Sequence, residues 1–441
     1  SMLILLLICI SQILRESECS GMMPSDFSGC SFVEPAERAM IDSFKAMDLL
    51  AYATQLKSSG RHICHMEVGQ PSTSAPKAVI RAAQEALLND RIGYTAALGR
   101  GNLRSAIARH YWDKYKVSVP AERVIVTTGS SAAFVLSFLG CFEAGDCIAL
   151  CSSGYPCYRN LMKVTGLECV SVAVNAEFKL TAAVLQREID RRKVGGLKRL
   201  KGLILSSPSN PTGVLLSPQE LQELCEVCKR HSLLFLSDEI YHGITYDSHP
   251  DATALTYSDS VVVINSFSKY YSMTGWRLGW MVVPPSLIDV MNRLSQNLYL
   301  NAPTLSQIAA VEAFSEESQV ELQANVAKYA VNRRIVLDTL QSLDLLREAA
   351  PADGAFYLYV DLSSAGVTDS AQLCYRVLEE AGVAISPGVD FEDPVSGLGN
   401  RRVRFSFSRD TAEVTEGMRR FSDWWLKNMK KPGNHPLTES S

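Results

Sequence analysis

Residues Ser266–Trp280 read SFSKYYSMTGWRLGW, preceded by the apolar run VVVIN and followed by MVV. The flanking runs predict two buried strands, and the segment between them is a turn carrying one lysine, Lys269. A lysine is ordinarily a solvated surface charge. Held among Ser, Tyr, Trp and Gly at a strand end, it is partly desolvated, which lowers its pKa and supplies the neutral amine that attacks a carbonyl. Further along the same turn, Arg277 offers a permanent planar cation suited to phosphate. An imine-forming amine beside a phosphate clamp points to pyridoxal 5'-phosphate.

Outward from this turn the chain carries further short apolar runs, each ended by polar or turn residues. They are RVIVTTGSS from Arg123, CIALCSS from Cys147, CVSVAV from Cys169, GLILSSPSN from Gly202, LLFLSDE from Leu233 and GWMVV from Gly279. Helical patterns such as LTAAVLQREIDRRK and SPQELQELCEVCKRH separate several of them. Strands that are apolar throughout and alternate with helices predict an α/β fold whose sheet is buried on both faces. Ligands of such sheets gather beyond the carboxyl ends of the strands. Gly129, Ser130, Ser131, Tyr155, Asn210, Asp238, Tyr241, Ser266, Ser268 and Lys269 all follow an apolar run, where that rule puts a site.

Four segments, SPSNPTG (207–213), SDEIY (237–241), SFSK with GWRLG (266–279) and RVRFSFS (402–408), carry a family resemblance. In order and spacing the chain resembles the class I/II aminotransferases, pyridoxal phosphate enzymes of fold type I in the aspartate aminotransferase superfamily, from about Phe32 to Lys427. The resemblance implies a large domain with a mostly parallel seven-stranded sheet flanked by helices. It also implies a smaller α+β domain built from the N- and C-terminal segments. The expected boundaries are 31–75 and 311–430 for the small domain and 76–310 for the large, cofactor-binding one.

The resemblance also implies roles. Lys269 would hold the cofactor as a Schiff base and then serve as the base at the substrate Cα. Asp238 would keep the pyridine nitrogen protonated, and a carboxylate ending the buried run LLFLSD needs such a partner in any case. Asn210 and Tyr241 would donate to the ring's phenolic oxygen, and Tyr155 would stack on the ring. Gly129, Ser130, Ser131, Ser266, Ser268 and Arg277 would form the phosphate cup, the serine amides lying at a helix N-terminus. Tyr94, in YTAALG, would reach the cofactor phosphate of a partner subunit, so a homodimer with shared active sites is expected. Gly69 and Asn210 would border the substrate carboxylate, and Arg404 would bind it as a bidentate pair. The expected reaction is ping-pong transfer of an amino group between an L-amino acid and a 2-oxo acid. One dicarboxylate-specific subgroup carries lysine where this chain has Ser131, so aspartate preference is not implied. Two rival readings are a β-eliminating C–S lyase of the same fold and a non-catalytic, cofactor-binding regulatory protein.

Composition bounds the remainder. At 441 residues two domains are the natural prior, and 47% hydrophobic with 20% charged content describes a globular protein. A net charge of -4 gives no footprint for nucleic acid. The 12 cysteines lack a disulfide-module spacing and read as reduced thiols. Cys225 and Cys228 form a CxxC inside a helical pattern with no second pair, so they are read as helix packing, and no metal is predicted. Met2–Ile10, MLILLLICI, is too short to span a bilayer. It reads as a weak signal peptide, an unusual leader or a packing arm, with Ser1 as a cloning scar. Residues 1–30 are set aside as an apolar arm, and 431–441 as a disordered tail. The expected compartment is the cytoplasm, unless the apolar N-terminus is a targeting segment.

Overall fold

The structure, a computed structural model, describes residues 34–429 except 90, 91 and 248. The arm expected over 1–30 and the tail expected over 431–441 lie outside the described residues. From Ile41 onward the described chain is one compact unit, and the 3-10 turn Glu37–Ala39 belongs to a separate one.

In chain order the strands are β1 (Cys64–His65), β2 (Val124–Thr127), β3 (Cys147–Cys151), β4 (Glu168–Val172), β5 (Leu200–Ser206) and β6 (Leu234–Asp238). They continue with β7 (Val262–Ser266), β8 (Gly279–Val282), β9 (Tyr357–Asp361), β10 (Val383–Ala384), β11 (Ser386–Pro387) and β12 (Arg402–Ser406). Seven of them form the main sheet in the order β2-β8-β7-β6-β5-β3-β4. β8 alone runs antiparallel, to both β2 and β7, so the sheet is mostly parallel, as the family resemblance implies. The helices Gly129–Cys141, Pro156–Thr165, Ala182–Val194 and Pro218–Arg230 lie between its strands in the sequence. β2, β7 and β8 are buried at every position, the consequence of helices covering both faces. Cys225 and Cys228 sit in the core beneath Pro218–Arg230, where burial pushes the Cys225 thiol up to about 12.

A second hydrophobic cluster gathers the C-terminal half around a three-stranded antiparallel sheet, β11-β12-β9, and the parallel pair β1-β10. That pair joins the N- and C-terminal segments: Cys64 faces Val383 and His65 faces Ala384. Leu49 and Ala53 of the helix Lys45–Ser58 join the same cluster. The sequence pattern predicts that helix from Pro35, but it starts at Lys45. Its N-cap residue, Phe44, offers no side-chain acceptor, and the Asp390 carboxylate supplies one from the far end of the chain. Lys45 N donates to Asp390 Oδ1 at 2.9 Å and Ala46 N to Oδ2 at 2.8 Å. Among the described residues no helix is long and apolar enough to cross a membrane.

Candidate active site

The lysine turn is held by its hydrophobic flank. Phe267 is fully buried against Trp280, ring centroids 4.9 Å apart, and against Tyr271 at 5.0 Å. Backbone bonds Phe267 N to Leu278 O (3.1 Å) and Met273 N to Phe267 O (3.0 Å) close the loop. The turn therefore presents Lys269 into a cavity of about 200 Å³ beyond the carboxyl edge of the main sheet. Asp238 from β6, Asn210 after β5, Tyr155 after β3 and Ser130 and Ser131 after β2 line the same cavity. Arg277 and Tyr241 complete that wall, and Arg404 of β12 enters with Gly69 from the small-sheet side.

The Lys269 amine donates to Gly69 O at 2.6 Å. Burial lowers its pKa to about 8, the nearby Arg404 and Arg277 charges push the same way, and Asp238 opposes them. Asp238 is raised to about 6 by burial, partly offset by the hydroxyl of Tyr158, the amide of Ile240 (3.2 Å) and the Lys269 charge. Two titratable groups of opposite sign thus stand in one cavity with pKa values drawn toward neutrality, a pattern found where protons are moved.

The Tyr241 hydroxyl pairs with the Tyr357 hydroxyl at 2.7 Å. Arg404 is 2% exposed yet meets no carboxylate. Its Nη1 donates to Asn210 Oδ1 at 2.8 Å, and its Nη2 to Glu67 O at 2.5 Å and Ser386 Oγ at 3.1 Å. Its Nε is buried without a partner. The guanidinium lies over the rings of Tyr357 (4.3 Å) and Phe391 (4.5 Å). A buried cation held by neutral acceptors and aromatic faces has capacity left for an anion.

Ser130 and Ser131 begin the helix Gly129–Cys141, whose N-cap Thr128 makes no side-chain cap bond, so its first amides keep their donor capacity. Gly129 adopts φ +70°, and a Cβ there would lie 2.8 Å from Arg277 Nη2. Only glycine lets the guanidinium come this close to the helix start.

Two of the expected phosphate residues and one expected partner contact stand apart. Ser266 is fully buried and does not reach the cavity; its hydroxyl is shared between Ser268 Oγ (2.9 Å) and Leu278 O (3.0 Å), organising the loop behind Ser268. Gly129 likewise acts from behind Arg277. Tyr94 is 85% exposed and outside this chain's cavity. Gly69 is explained sterically: a Cβ would fall 1.6 Å from the Tyr357 hydroxyl.

Sequence reasoning missed Tyr158, Tyr357 and Glu67. Tyr158 was detectable, because it follows Tyr155 by one helical turn in YPCY and so shares its face. Tyr357 and Glu67 had no local signal; β-strand pairing and the crossing of β12 bring them in.

The fold and the cavity define an α/β enzyme whose chemistry centres on a half-buried lysine in one cavity with a carboxylate and two arginines. Comparison with known proteins makes this specific. Residues 61–421 match the family model described as aminotransferase class I and II. The chain is 41% identical over 392 residues to the valine–pyruvate aminotransferase of Mycobacterium tuberculosis, covering 88% of this chain and 98% of that one. It is 30% identical over 389 residues to the (5-formylfuran-3-yl)methyl phosphate transaminase of Methanocaldococcus jannaschii, again covering 88% and 98%. The crystal structure of an aminotransferase from Mycobacterium tuberculosis superposes with a TM-score of 0.85 at 40% identity, covering 90% of this chain and all of that one. The protein belongs to the class I and II aminotransferases, and it is a transaminase.

Proposed function

We propose that this transaminase binds pyridoxal 5'-phosphate in the cavity around Lys269 and moves an amino group between an L-amino acid and a 2-oxo acid in two half-reactions. The observation that carries the reading is the convergence of Lys269, Asp238, Arg277 and Arg404 on one cavity. The residues fit the group on structural grounds: a desolvated amine, a buried carboxylate, helix amides beside an arginine, and a glycine whose Cβ would collide with that arginine.

When bound, the cofactor supplies an electron-poor pyridine ring able to absorb the electron pair left at the substrate Cα. Asp238 would face the ring nitrogen and hold its proton, with Tyr158 orienting the carboxylate. Asn210 and Tyr241 would donate to the phenolic oxygen, and Tyr155 would cover the ring face. Ser130, Ser131, Ser268 and Arg277 would bind the phosphate. Ser266 and Gly129 would support that cup from behind. Arg404 would take the substrate carboxylate, with Gly69 and Asn210 at its border. Lys269 Nζ would then remove the Cα proton, a task suited to an amine whose pKa stands near neutrality.

The similarity to a valine–pyruvate aminotransferase supports small apolar amino acids as donors. We also propose a homodimer in which the exposed Tyr94 serves the neighbouring active site. The test is to add single amino acids to the holoprotein and follow the cofactor's absorbance together with 2-oxo acid release. Conversion to the amine form with stoichiometric 2-oxo acid is expected. Release of ammonia in place of amino transfer would assign the chain to elimination chemistry.

A further inference from the structure

Arg404 and the wall opposite it share a support. Gly388–Asp390 forms a 3-10 turn ahead of Phe391. That turn is pinned from behind: Gly154 N donates to Phe391 O at 2.8 Å, and Arg159 Nη2 to Asp390 O at 2.7 Å. From this anchored base two side chains reach in different directions. Phe391 lies 4.5 Å from the Arg404 guanidinium. Asp390 accepts both amides that open the helix Lys45–Ser58, whose start carries Phe44, Ala46 and Met47 into the cavity. Phe44 also meets Phe391 edge-on at 6.3 Å and Tyr155 at 6.4 Å.

These three residues, with Val68, make an apolar wall. Among the described lining residues the only cations are Lys269, Arg277 and Arg404, and the acids are Glu67 and Asp238. A substrate carrying a second carboxylate finds no partner there in this chain, whereas a branched hydrocarbon side chain finds a surface to bury.

We propose that Asp390, on the turn whose Phe391 backs the carboxylate clamp Arg404, is a positioning residue that sets the span between that clamp and the apolar wall, Phe44–Ala46–Met47, and so selects amino and oxo acids with short branched apolar side chains. The inference rests on Arg404 binding the substrate carboxylate. The cap reaches across more than three hundred residues of chain and adds to the local bonds at the helix start, Met47 N to Phe44 O (2.8 Å) and Ser43 Oγ to Asp48 Oδ2 (2.9 Å); among the described residues it is the only tie of Lys45 N and Ala46 N to the turn beside the clamp. Removing the carboxylate of Asp390 frees the helix start. The clamp, stacked on Phe391 and Tyr357, stays.

The test uses carboxylates that need no turnover. Binding of 3-methylbutanoate and propanoate to the holoenzyme is measured by calorimetry for wild type, Asp390→Ala, Asp390→Asn and Phe391→Leu. Wild type is expected to prefer the branched acid at least about tenfold, of the order that burying two more carbons gives. Asp390→Ala should cut that preference below about threefold while propanoate affinity stays within about twofold. Asp390→Asn, whose amide oxygen still accepts one N–H, should fall between. Phe391→Leu should weaken both acids together, because it removes an aromatic face from the cation they share. An unchanged preference in Asp390→Asn overturns the proposal even where the alanine variant fails to fold, and so does a wild type that binds neither acid. Failure of the aminotransferase reading would show separately, as carboxylate binding without conversion of any amino acid.

Discussion

At the scale of single residues, Lys269 is the residue whose neighbourhood overrides its type. A lone lysine is solvated, but the side chain between β7 and β8 is desolvated and set among two arginines, so its amine is lowered to about 8. Lys269→Ala is expected to reduce turnover by at least about 10³-fold, the scale of a lost general base and nucleophile. Non-covalent cofactor binding should survive, read as absorbance and fluorescence of the bound group after gel filtration. Gly69 makes a second prediction. Because a Cβ would lie 1.6 Å from the Tyr357 hydroxyl, Gly69→Ala must displace that ring and with it the Tyr241 hydroxyl it pairs with. We expect kcat/KM to fall roughly tenfold or more, and Gly69→Ala/Tyr357→Ala to be no worse than the sum of the single changes, since the clash is gone. Lys269, Asp238 and Arg277 were legible because each breaks the pattern of a strand end. Tyr357 was not, since a tyrosine inside an apolar strand reads as core, and only pairing with Tyr241 gives it a role.

At the scale of elements, the same contrast separates two helices. Pro218–Arg230 announces its start: Ser217 accepts from Glu220 N, and Glu220 returns the bond to Ser217 N at 2.7 Å. The helix Lys45–Ser58 has no such signal, and its predicted start at Pro35 fails because the residue that caps it is Asp390. Just past the end of β6, Glu239 follows Asp238 but turns away from the cavity. Its Oε1 accepts from Ala254 N (2.9 Å), Thr253 Oγ1 (3.0 Å) and Ser237 Oγ (3.2 Å), yet burial raises its pKa from 4.5 to about 8. Between those values the folded state holds a proton that the unfolded chain has lost, so this group's contribution to stability falls as pH rises from 4.5 through 8. Glu239→Gln imitates the protonated acid and does not titrate. Its Tm should match wild type at pH 5 and exceed it by roughly 3–6 °C at pH 9, measured by scanning calorimetry.

At the scale of the whole molecule, the proposed homodimer is tested through Tyr94. That residue is 85% exposed on this chain and lines no part of this chain's cavity. If it serves a neighbouring subunit, inactive Tyr94→Ala and Lys269→Ala homodimers should complement on mixing, because a hybrid rebuilds one complete site. Activity recovering toward roughly a quarter of the wild-type level is expected from random pairing. No recovery, with subunit exchange verified by mass, would leave Tyr94 as a surface residue.

Local pattern alone was enough to read an α/β sheet buried on both faces, the turn that carries Lys269 and the run of polar residues beyond the strand ends. Those features are written in local hydrophobic period and in which residue interrupts it. Only the tertiary structure decided what faces what: that Tyr158 orients Asp238, that Tyr357 excludes every residue but glycine at 69, and that Arg404 rests between two rings without a counter-ion. It also decided that Asp390 begins a helix lying more than three hundred positions earlier. Such contacts depend on packing between segments distant in the chain, and a periodic pattern holds no information about its partner.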